Sequence, residues 1–416
     1  MRIKIFQNIF FMNKLKFKFR FFMKKLQHKK INLVFICHRP QVWESLKTVF
    51  EACNNDKNFN VTIIAIPNKK ELPNLGLNHE IYETEGAEEF FKNYPCSVIN
   101  GYNYETKKWV ELKSLKPDYV FIQQPYNICK PSIYHSKKIS KYCKLCYVHY
   151  GLLIFKGEVQ ESVYPPDFFK NVDFVFSENK EQEFLIENLA KKINSKLTCK
   201  LTGYTRFDGL DKYRNINSDN WNLPKSENVK RVIWTPRWCT NENNCHFFEY
   251  KDKLIEYAEE NKDIDFIFRP HPQAFLEWNA TGELPEKEAN EYKKRYENCD
   301  NAKIDTCKEY LTTFYSSDFM ITDISSIIPE YFLTGKPIIY CHRTNHFNDF
   351  GSKIAEGFYW VNNWEELKQA IEMLKRGDDE LYEKRQQIIK DNFYINPKGA
   401  GNTIKEIIKE DFYGKN

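Results

Sequence analysis

Glycine is scarce in this chain, with 15 glycines among 416 residues. The sequence contains neither a GxGxxG run nor a Walker A run, and these are the glycine-rich patterns in which backbone N–H groups surround a phosphate. A nucleotide bound by this protein must therefore be held by another kind of loop. Long apolar runs are also missing, since none approaches the roughly eighteen residues that a membrane-spanning helix needs.

Acidic residues are missing from the first thirty residues, which contain ten lysines and arginines and seven phenylalanines. The other 386 residues hold 52 basic and 57 acidic side chains, so the net charge of +5 comes from this local segment. A nucleic-acid-binding protein more often spreads its basic surface through the folded part. The charge distribution therefore predicts no nucleic-acid partner.

The phenylalanines of residues 1–30 recur at roughly helical spacing with lysines on other faces, as seen in Phe6, Phe10, Phe17 and Phe21 with Lys14, Lys18 and Lys25. This composition is typical of a helix that lies in the interface of an anionic membrane. We therefore predict that residues 1–30 form a membrane-surface segment. The alternative is an N-terminal extension that frays or packs on the fold.

The chain has twelve cysteines and no signal peptide with an apolar core, which favours reduced thiols. Cys143 and Cys146 form a CxxC, but no second CxxC follows at zinc-site spacing. Cys239 and Cys245 flank a polar stretch without paired ligands nearby. Buried free thiols are therefore expected rather than a structural zinc site.

Short apolar runs separated by helical patterns predict an α/β fold with two Rossmann-like, doubly wound parallel-sheet domains. The first series of expected strands is Ile31–Ile36, Val61–Ile66, Tyr119–Gln123, Leu145–Val148, Asp173–Ser177 and Lys200–Gly203, and the second is Arg231–Trp234, Asp265–Phe268, Asp318–Thr322 and Pro337–Tyr340. The main expected helices are 41–52, 249–261, 324–334 and 401–410. The predicted domains are residues 31–213 and 230–395, joined by a linker at 214–229 and followed by a C-terminal helix in 396–416, with a cleft where the strands end.

Two histidines follow expected strands directly. His149 precedes Tyr150 and Gly151, and an imidazole at a strand end is suited to accept a hydroxyl proton near neutral pH. Arg269 and His271 belong to an RPHP segment, whose prolines stiffen a loop that could hold a phosphate. In each case the alternative is a structural histidine in an ordinary loop.

Further polar residues follow other expected strands. The segment Thr322–Ser326 (TDISS) enters the expected helix 324–334, where hydroxyls and N–H groups hold a diphosphate or simply cap the helix. Glu330 could reach a ribose or glycerol hydroxyl, or be a solvated helix residue. The remaining candidates are Thr235 and Arg237 after the strand RVIW, and Arg206 with Asp208, which could instead pair structurally.

The order of these segments is more specific than any one of them: HYG at His149–Gly151, GYTRFD at Gly203–Asp208, TPR at Thr235–Arg237, RPHP at Arg269–Pro272, then TDISS and GKP at Gly335–Pro337. Over roughly residues 115–405 the chain resembles the CDP-glycerol glycerophosphotransferase family of teichoic acid polymerases and primases. Departures at Thr205, Phe207 and Ile324, and the Pro329-Glu330 pair, suggest a divergent branch that acts on a capsule or lipooligosaccharide.

The resemblance implies a GT-B-type fold and transfer of glycerol phosphate, or a related alditol phosphate, from CDP-glycerol to a polymer hydroxyl, with release of CMP. By motif, His149 matches the base and His271 the pyrophosphate-binding histidine, and the substrate-binding residues would be Gly151, Arg206, Thr235, Arg237, Arg269, Thr322, Asp323, Ser325, Ser326 and Glu330. A lipid- or sugar-linked acceptor and a peripheral location on the cytoplasmic face of the bacterial inner membrane are also implied. No cofactor is expected to be obligatory, and a divalent metal stays an open question. The competing interpretation is a GT-B glycosyltransferase that uses a CMP-sugar or another nucleotide-sugar.

Overall fold

The computed structural model describes residues 15–17, 19–27, 29–70, 81–83, 86–156, 163–216, 218–240, 245–307, 309–343 and 346–414. The chain divides into two units. Unit 1 comprises Met1–Leu152, Glu158–Asp208 and Tyr394–Asn416, and unit 2 comprises Leu153–Gly157 and Gly209–Phe393. The division falls after Asp208 and after Phe393, where the sequence placed domain ends at 213 and 395.

Unit 1 is built on a seven-stranded parallel sheet with the strand order β11-β10-β9-β8-β1-β2-β5. Its strands are β1 Ile31–Cys37, β2 Phe59–Ala65, β5 Ser97–Asn100, β8 Tyr119–Ile122, β9 Lys144–Val148, β10 Phe174–Ser177 and β11 Thr198–Leu201. Two short hairpins accompany it, formed by β3 Asn68–Lys70 with β4 Ile81–Glu83 and by β6 Tyr102–Asn103 with β7 Lys108–Trp109. Strands such as β8 and β10 are buried along their whole length, as strands covered on both faces are.

Unit 2 contains a six-stranded parallel sheet with the order β14-β13-β12-β15-β16-β17. Its strands are β12 Lys230–Thr235, β13 Ile264–Phe268, β14 Ala302–Ile304, β15 Phe319–Thr322, β16 Ile338–Cys341 and β17 Tyr359–Val361. An aromatic core beside this sheet stacks Trp234, Phe247 and Trp278. The prediction of two parallel α/β domains is thus confirmed.

Helices connect the strands in both units. The α-helices of unit 1 are Glu44–Asn54, Ala87–Phe91, Ser136–Ile139, Pro166–Phe169, Lys180–Lys192 and Ala400–Tyr413, and those of unit 2 are Phe247–Glu260, Ala274–Thr281, Glu286–Glu297, Leu311–Ser316, Ile328–Phe332, Asp349–Ala355, Trp364–Lys375 and Tyr382–Asn392. The 3₁₀ turns are Pro40–Val42, Leu112–Leu115, Asn127–Cys129, Ser132–Tyr134, Thr205–Phe207 and Leu210–Tyr213. Within the described ranges, no helix is both long and apolar enough to cross a bilayer.

The helix expected over residues 324–334 is much shorter in the structure. It runs only from Ile328 to Phe332, and its N-cap is Ile327, which makes no side-chain capping bond. The expectation that Ser325 or Ser326 caps this helix was therefore wrong. Pro329 lies in the first helical turn, where a missing N–H costs nothing, so the backbone can remain non-helical through both serines.

The described part of the basic N-terminal segment is helical at residues 15–17 and 19–26. Phe21 packs against Phe412 with ring centroids 4.7 Å apart, and the amino group of Lys24 pairs with the buried carboxylate of Asp118. Phe17 and Phe21 both pack on unit 1, as the alternative of a packed N-terminal extension expected, and membrane contact of residues 1–30 stays a prediction. Phe6, Phe10, Lys14 and Lys18 lie outside the described residues.

The opposite side of this helical segment is apolar and exposed. Leu15, Phe19, Phe22 and Leu26 have 58%, 66%, 55% and 60% of their surface exposed. Their spacing of four, three and four residues places them on one helical stripe, which we call the N-terminal stripe. Exposed apolar side chains in such a stripe are typical of a surface that meets a membrane or another protein.

Asp208 anchors the C-terminal helix of the chain. Its carboxylate accepts hydrogen bonds from the backbone N–H groups of Ala400 at 2.7 Å and Gly401 at 2.9 Å, at the start of the helix Ala400–Tyr413. This contact satisfies two of the N–H groups that a helix start leaves without partners. Asp208 thus has a structural contact with the start of a helix, and the pairing of Asp208 with Arg206 that the sequence left open stays a prediction.

We expect Asp208→Ala to lower the free energy of unfolding of unit 1 by about 1–2 kcal/mol, because two helix-terminal N–H groups lose their acceptor. Glu89→Ala is the matched control, since the carboxylate of Glu89 is also in unit 1, is exposed and pairs with Lys92 three residues away. Denaturant unfolding followed by circular dichroism measures both variants. Equal losses for the two would refute the capping role.

Candidate functional site

In unit 2 the central strands end in a pair of hydrogen-bonded threonines. Thr235 and Thr322 are register partners on β12 and β15. The Thr235 hydroxyl lies 3.0 Å from the Thr322 hydroxyl, which donates to the Thr235 carbonyl at 2.8 Å. Both side chains are buried, so these threonines fix the point at which the two following loops leave the sheet.

Asp323 directly follows β15, and its side chain holds the loop that follows β12. Its buried carboxylate accepts hydrogen bonds from the backbone N–H groups of Arg237 and His246, the latter at 3.0 Å. Burial raises the pKa of Asp323, and the contacts with His246 and Arg237 act in the opposite direction. A buried carboxylate engaged in this way orients a loop, and it repels a phosphate more than it attracts one.

His246 extends this arrangement and was missed by the sequence analysis. Its Nδ1 lies 3.5 Å from the Asp323 carboxylate, and its Nε2 accepts a hydrogen bond from Arg343 at 3.2 Å. Arg343 follows β16 and also pairs with Glu249. Asp323, His246 and Arg343 thus connect the ends of β15 and β16 through one buried imidazole. His246 lies at the start of a helix and not at a strand end, so the rule applied to the sequence could not identify it.

His271 stacks on the ring of Trp238, and the guanidinium of Arg237 also lies against this ring. The rings of His271 and Trp238 lie 5.5 Å apart at 25°, and the guanidinium of Arg237 lies 5.5 Å from the centre of the same Trp238 ring. The His271 Nδ1 accepts the backbone N–H of Gln273 at 3.2 Å. In the neutral ring, Nε2 therefore carries the proton and is the hydrogen-bond donor, which suits a phosphate oxygen.

Arg269 of the RPHP segment is paired within the protein. Its guanidinium binds the buried carboxylate of Asp305 and donates to the Cys307 carbonyl at 2.7 Å. The guanidinium also lies 5.0 Å from the centre of the Tyr310 ring. Because Asp305 compensates most of its charge, Arg269 braces the strand ends of β13 and β14, and its predicted contact with substrate stays a prediction.

The two serines and the glutamate of the TDISS segment differ in exposure. Ser325 is half-buried and Ser326 is exposed, so the hydroxyl of Ser326 can reach a ligand. Glu330 is 1% exposed and accepts a hydrogen bond from the Tyr310 hydroxyl. The alternative that Glu330 is a solvated helix residue is therefore wrong, because its carboxylate is enclosed by unit 2.

In unit 1, His149 directly follows β9, which lies between β10 and β8, and it is buried, with 3% of its surface exposed. Its Nδ1 lies 2.6 Å from the Gly151 carbonyl oxygen. Since a carbonyl can only accept, Nδ1 carries the proton and Nε2 is left with its lone pair. Within the described ranges Nε2 has no hydrogen-bond partner. Burial lowers the pKa of His149 to about 4, so the ring is neutral at physiological pH.

Arg206 reaches the same strand end. Its guanidinium donates to the Tyr150 carbonyl at 3.4 Å, and the Tyr150 hydroxyl lies 2.9 Å from that of Tyr126. The Tyr150 ring stacks on the imidazole of His149 at 5.7 Å and 9°. Arg206, Tyr150 and Gly151 therefore all shape the surroundings of His149.

A second buried histidine at this edge, His38, was also missed. It follows β1, and its Nε2 lies 3.0 Å from the Gln124 side chain beyond β8. The amino group of Lys130 lies nearby and donates to the Gln124 carbonyl at 3.0 Å. The signal that selected His149, a histidine directly after an apolar strand, is equally present in INLVFIC followed by His38.

Metal ligation finds little support in either unit. Across the parts of the chain that the structure describes, no group of three or more His, Cys, Asp or Glu side chains could hold a metal ion. Cys143 and Cys146 are both buried free thiols, as the sequence predicted. Burial raises the pKa of each well above its usual value, which keeps them protonated.

A family model described as CDP-Glycerol:Poly(glycerophosphate) glycerophosphotransferase matches residues 167–408, more than half of the chain. The chain belongs to this family. It is therefore an enzyme of the CDP-glycerol glycerophosphotransferase type, as the resemblance implied. The matched range contains the whole strand-end cluster of unit 2, whereas His149 precedes it.

Solved structures show the GT-B-type fold of this enzyme. A wall teichoic acid polymerase TagF variant soaked with CDPG is similar with a TM-score of 0.60 and 12% identity, covering 96% of this chain and 98% of that one. S. aureus MnaA in complex with UDP has a TM-score of 0.60 and 16% identity, with 93% and 98% covered. A UDP-GlcNAc 2-epimerase from Neisseria meningitidis bound to UDP-GlcNAc has a TM-score of 0.56 and 14% identity, with 91% and 98% covered. No curated protein matches the chain in sequence.

We expect Asp323→Ala to lower the free energy of unfolding of unit 2 by about 1–3 kcal/mol, because two buried N–H groups lose their acceptor. In hydrogen exchange, the amides of Arg237 and His246 should lose protection together. Asp300→Ala is the control, since Asp300 is exposed after the helix Glu286–Glu297. Unchanged protection in Asp323→Ala would contradict the assigned role of this carboxylate.

Proposed function

We propose that this enzyme transfers glycerol phosphate from CDP-glycerol to a hydroxyl of a growing surface polymer and releases CMP. The observation that carries the proposal is the opposite tautomeric state of two histidines in a chain of this family. His149 presents a proton acceptor at Nε2, whereas His271 presents a proton donor at Nε2. A phosphotransfer to a hydroxyl needs one group of each kind.

The proposed reaction is a displacement at the β-phosphorus of CDP-glycerol. The acceptor oxygen forms a bond to this phosphorus, and the bond from phosphorus to the bridging oxygen breaks, so that CMP leaves with that oxygen. The hydroxyl proton passes to Nε2 of His149. Because the transferred phosphoryl group carries its own charge, the protein contributes mainly positioning and charge stabilisation.

On the donor side, we propose that His271 and Arg237 bind the diphosphate. Their mutual stacking on Trp238 holds both groups in place before a ligand arrives, which reduces the entropy lost on binding. Ser325 and Ser326 would add hydroxyl donors. Asp323 and Thr322 act by positioning these loops, and Glu330 is a buried carboxylate on the short helix that follows the serines.

The acceptor we propose is a lipid- or sugar-linked polymer of the teichoic-acid, capsule or lipooligosaccharide type. No obligatory cofactor is proposed, and charge stabilisation is assigned to the side chains named above. The departures from the family pattern at Thr205, Phe207 and Ile324 support a divergent branch with its own acceptor.

We further propose that the enzyme binds peripherally to the cytoplasmic face of the bacterial inner membrane through the N-terminal stripe. Phe19 and Phe22 would enter the interface, with the exposed Lys16, Lys29 and Lys30 close to anionic head groups. Arg20 and Lys24 contribute less charge than the sequence suggested, because both lie against Asp118.

The donor is tested by incubating the purified enzyme and an acceptor polymer with CDP-glycerol, CDP-ribitol and CMP-sugars in parallel, and weighing the products by mass spectrometry. We expect CMP release and a mass gain of one glycerol phosphate per transfer with CDP-glycerol. Product from CMP-sugars and none from CDP-glycerol would overturn the proposal and favour the glycosyltransferase alternative.

For the membrane proposal, we expect the double variant Phe19→Ser/Phe22→Ser to bind anionic phospholipid vesicles at least about tenfold more weakly, because two exposed rings no longer leave water. Phe184→Ser is the matched control, since Phe184 is 64% exposed on the helix Lys180–Lys192. Vesicle co-sedimentation measures all three proteins. Equal binding of the double variant and the wild type would exclude the N-terminal stripe as the docking surface.

A further inference from the structure

Glu178 is a buried carboxyl group that lies directly after β10. It is 3% exposed, and neither carboxylate oxygen has a hydrogen-bond partner within the described ranges. A buried carboxyl without partners lowers stability, because it loses its hydration and gains no hydrogen bond in return. Such a residue contributes nothing evident to folding, and its surroundings are therefore informative about function.

The imidazole of His149 lies beside the carboxyl group of Glu178. One carboxylate oxygen of Glu178 lies 4.0 Å from the Nδ1 of His149. The two residues follow neighbouring parallel strands, since β9 and β10 are paired up to Val148 and Phe176. The backbone of the sheet therefore fixes their separation, and both side chains are almost fully enclosed.

Three further titratable groups interact electrostatically with Glu178, and they lie on three surrounding elements. They are Tyr147 on β9, Tyr164 in the loop before the helix Pro166–Phe169, and Cys199 on β11. Burial raises the pKa of all three, so each is neutral at physiological pH. A proton on His149 is therefore the one positive charge that this set of groups can place beside Glu178.

Burial shifts the two partners in opposite directions. It raises the pKa of Glu178 to about 8 and lowers that of His149 to about 4. An isolated imidazole with so low a pKa is a weak proton acceptor, because its protonated form is not solvated. A carboxylate beside it stabilises that protonated form directly.

We propose that Glu178 is a positioning residue for His149, whose carboxylate orients the imidazole and stabilises the imidazolium formed when the acceptor hydroxyl is deprotonated. This inference rests on the proposed role of His149 as the base. Gly151 accepts from Nδ1 and fixes the tautomer, and Glu178 supplies the compensating charge 4.0 Å from the same nitrogen. The reacting proton goes to Nε2, on the other side of the ring.

The active form of this pair has a deprotonated Glu178 and a neutral His149. Because the carboxyl is protonated below its raised pKa and ionised above it, activity should increase as the pH rises through about 8. Removing the carboxylate should lower the rate and abolish this pH dependence together. A purely structural glutamate would affect neither the shape of the pH profile nor the rate selectively.

The experiment compares Glu178→Gln, Glu178→Asp and the control Glu187→Gln, an exposed glutamate on the helix Lys180–Lys192. We expect Glu178→Gln to lower kcat at least about tenfold, to leave KM for CDP-glycerol within about twofold and to flatten the profile. Glu178→Asp should recover part of kcat and retain the rise with pH. Wild-type kcat with an unchanged profile in Glu178→Gln would overturn the proposal.

A second measurement does not depend on the donor. In protein with ¹³C-labelled histidine, the resonance of His149 is assigned by its loss in His149→Ala and titrated with pH. We expect the wild-type His149 resonance to shift as Glu178 ionises near pH 8 and the Glu178→Gln variant to lack this shift, and identical titrations of the two proteins would overturn the coupling. If the wild type released no CMP from CDP-glycerol but the titration still responded to Glu178→Gln, the proposed reaction would be wrong and the coupling of the two residues would stand.

Discussion

Parallel pairing of strands that are buried on both faces is the constraint on which the rest of this structure depends. Strands such as β8 and β15 are buried at every position, which leaves almost no place for polar chemistry within the sheet. The first residues that can place polar side chains at a site are therefore those that directly follow each strand. Because parallel strands all end at one edge, these residues are brought together within each unit. His38, His149 and Glu178 meet this condition in unit 1, and Arg269 and Asp323 meet it in unit 2.

The residues of the sequence motifs fall into two groups, those whose polar atoms make structural contacts and those that keep an atom for a ligand. Asp208, Arg269 and Asp323 are engaged with helix termini, a buried carboxylate and loop amides, and they hold neighbouring segments in place. His149 and His271 each use Nδ1 for a local hydrogen bond, in opposite directions. The protein thereby gives two histidines opposite tautomers, which is the distinction that acid and base roles require.

Much of the fold could be predicted because buried parallel strands appear in the amino-acid sequence as short apolar runs. INLVFI, YVFIQ and DFVFS predicted β1, β8 and β10 to within one residue at most boundaries. β5, β14 and β17 are three or four residues long and lie at or beside sheet edges, so no comparable run marks them. The helix predicted after β15 was longer than the one observed, because the apolar spacing in the sequence continues through residues that are not helical.

The candidate site was less predictable, because its decisive contacts join distant parts of the chain. The 4.0 Å separation of His149 and Glu178 depends on the pairing of β9 with β10. The acceptors of the Ala400 and Gly401 amides lie nearly two hundred residues earlier. No local pattern reports such contacts. What the sequence could supply was the order of the motifs, and the family match over residues 167–408 agrees with it.

The most direct test of this account separates donor binding from turnover in His149→Ala. Calorimetric titration with CDP-glycerol and the rate of CMP release are measured on the same preparation. The account predicts a donor Kd within about twofold of wild type and a rate at least about a hundredfold lower, because only the proton acceptor is lost. Parallel losses of binding and rate, or a rate close to wild type, would contradict the role of His149 as the base.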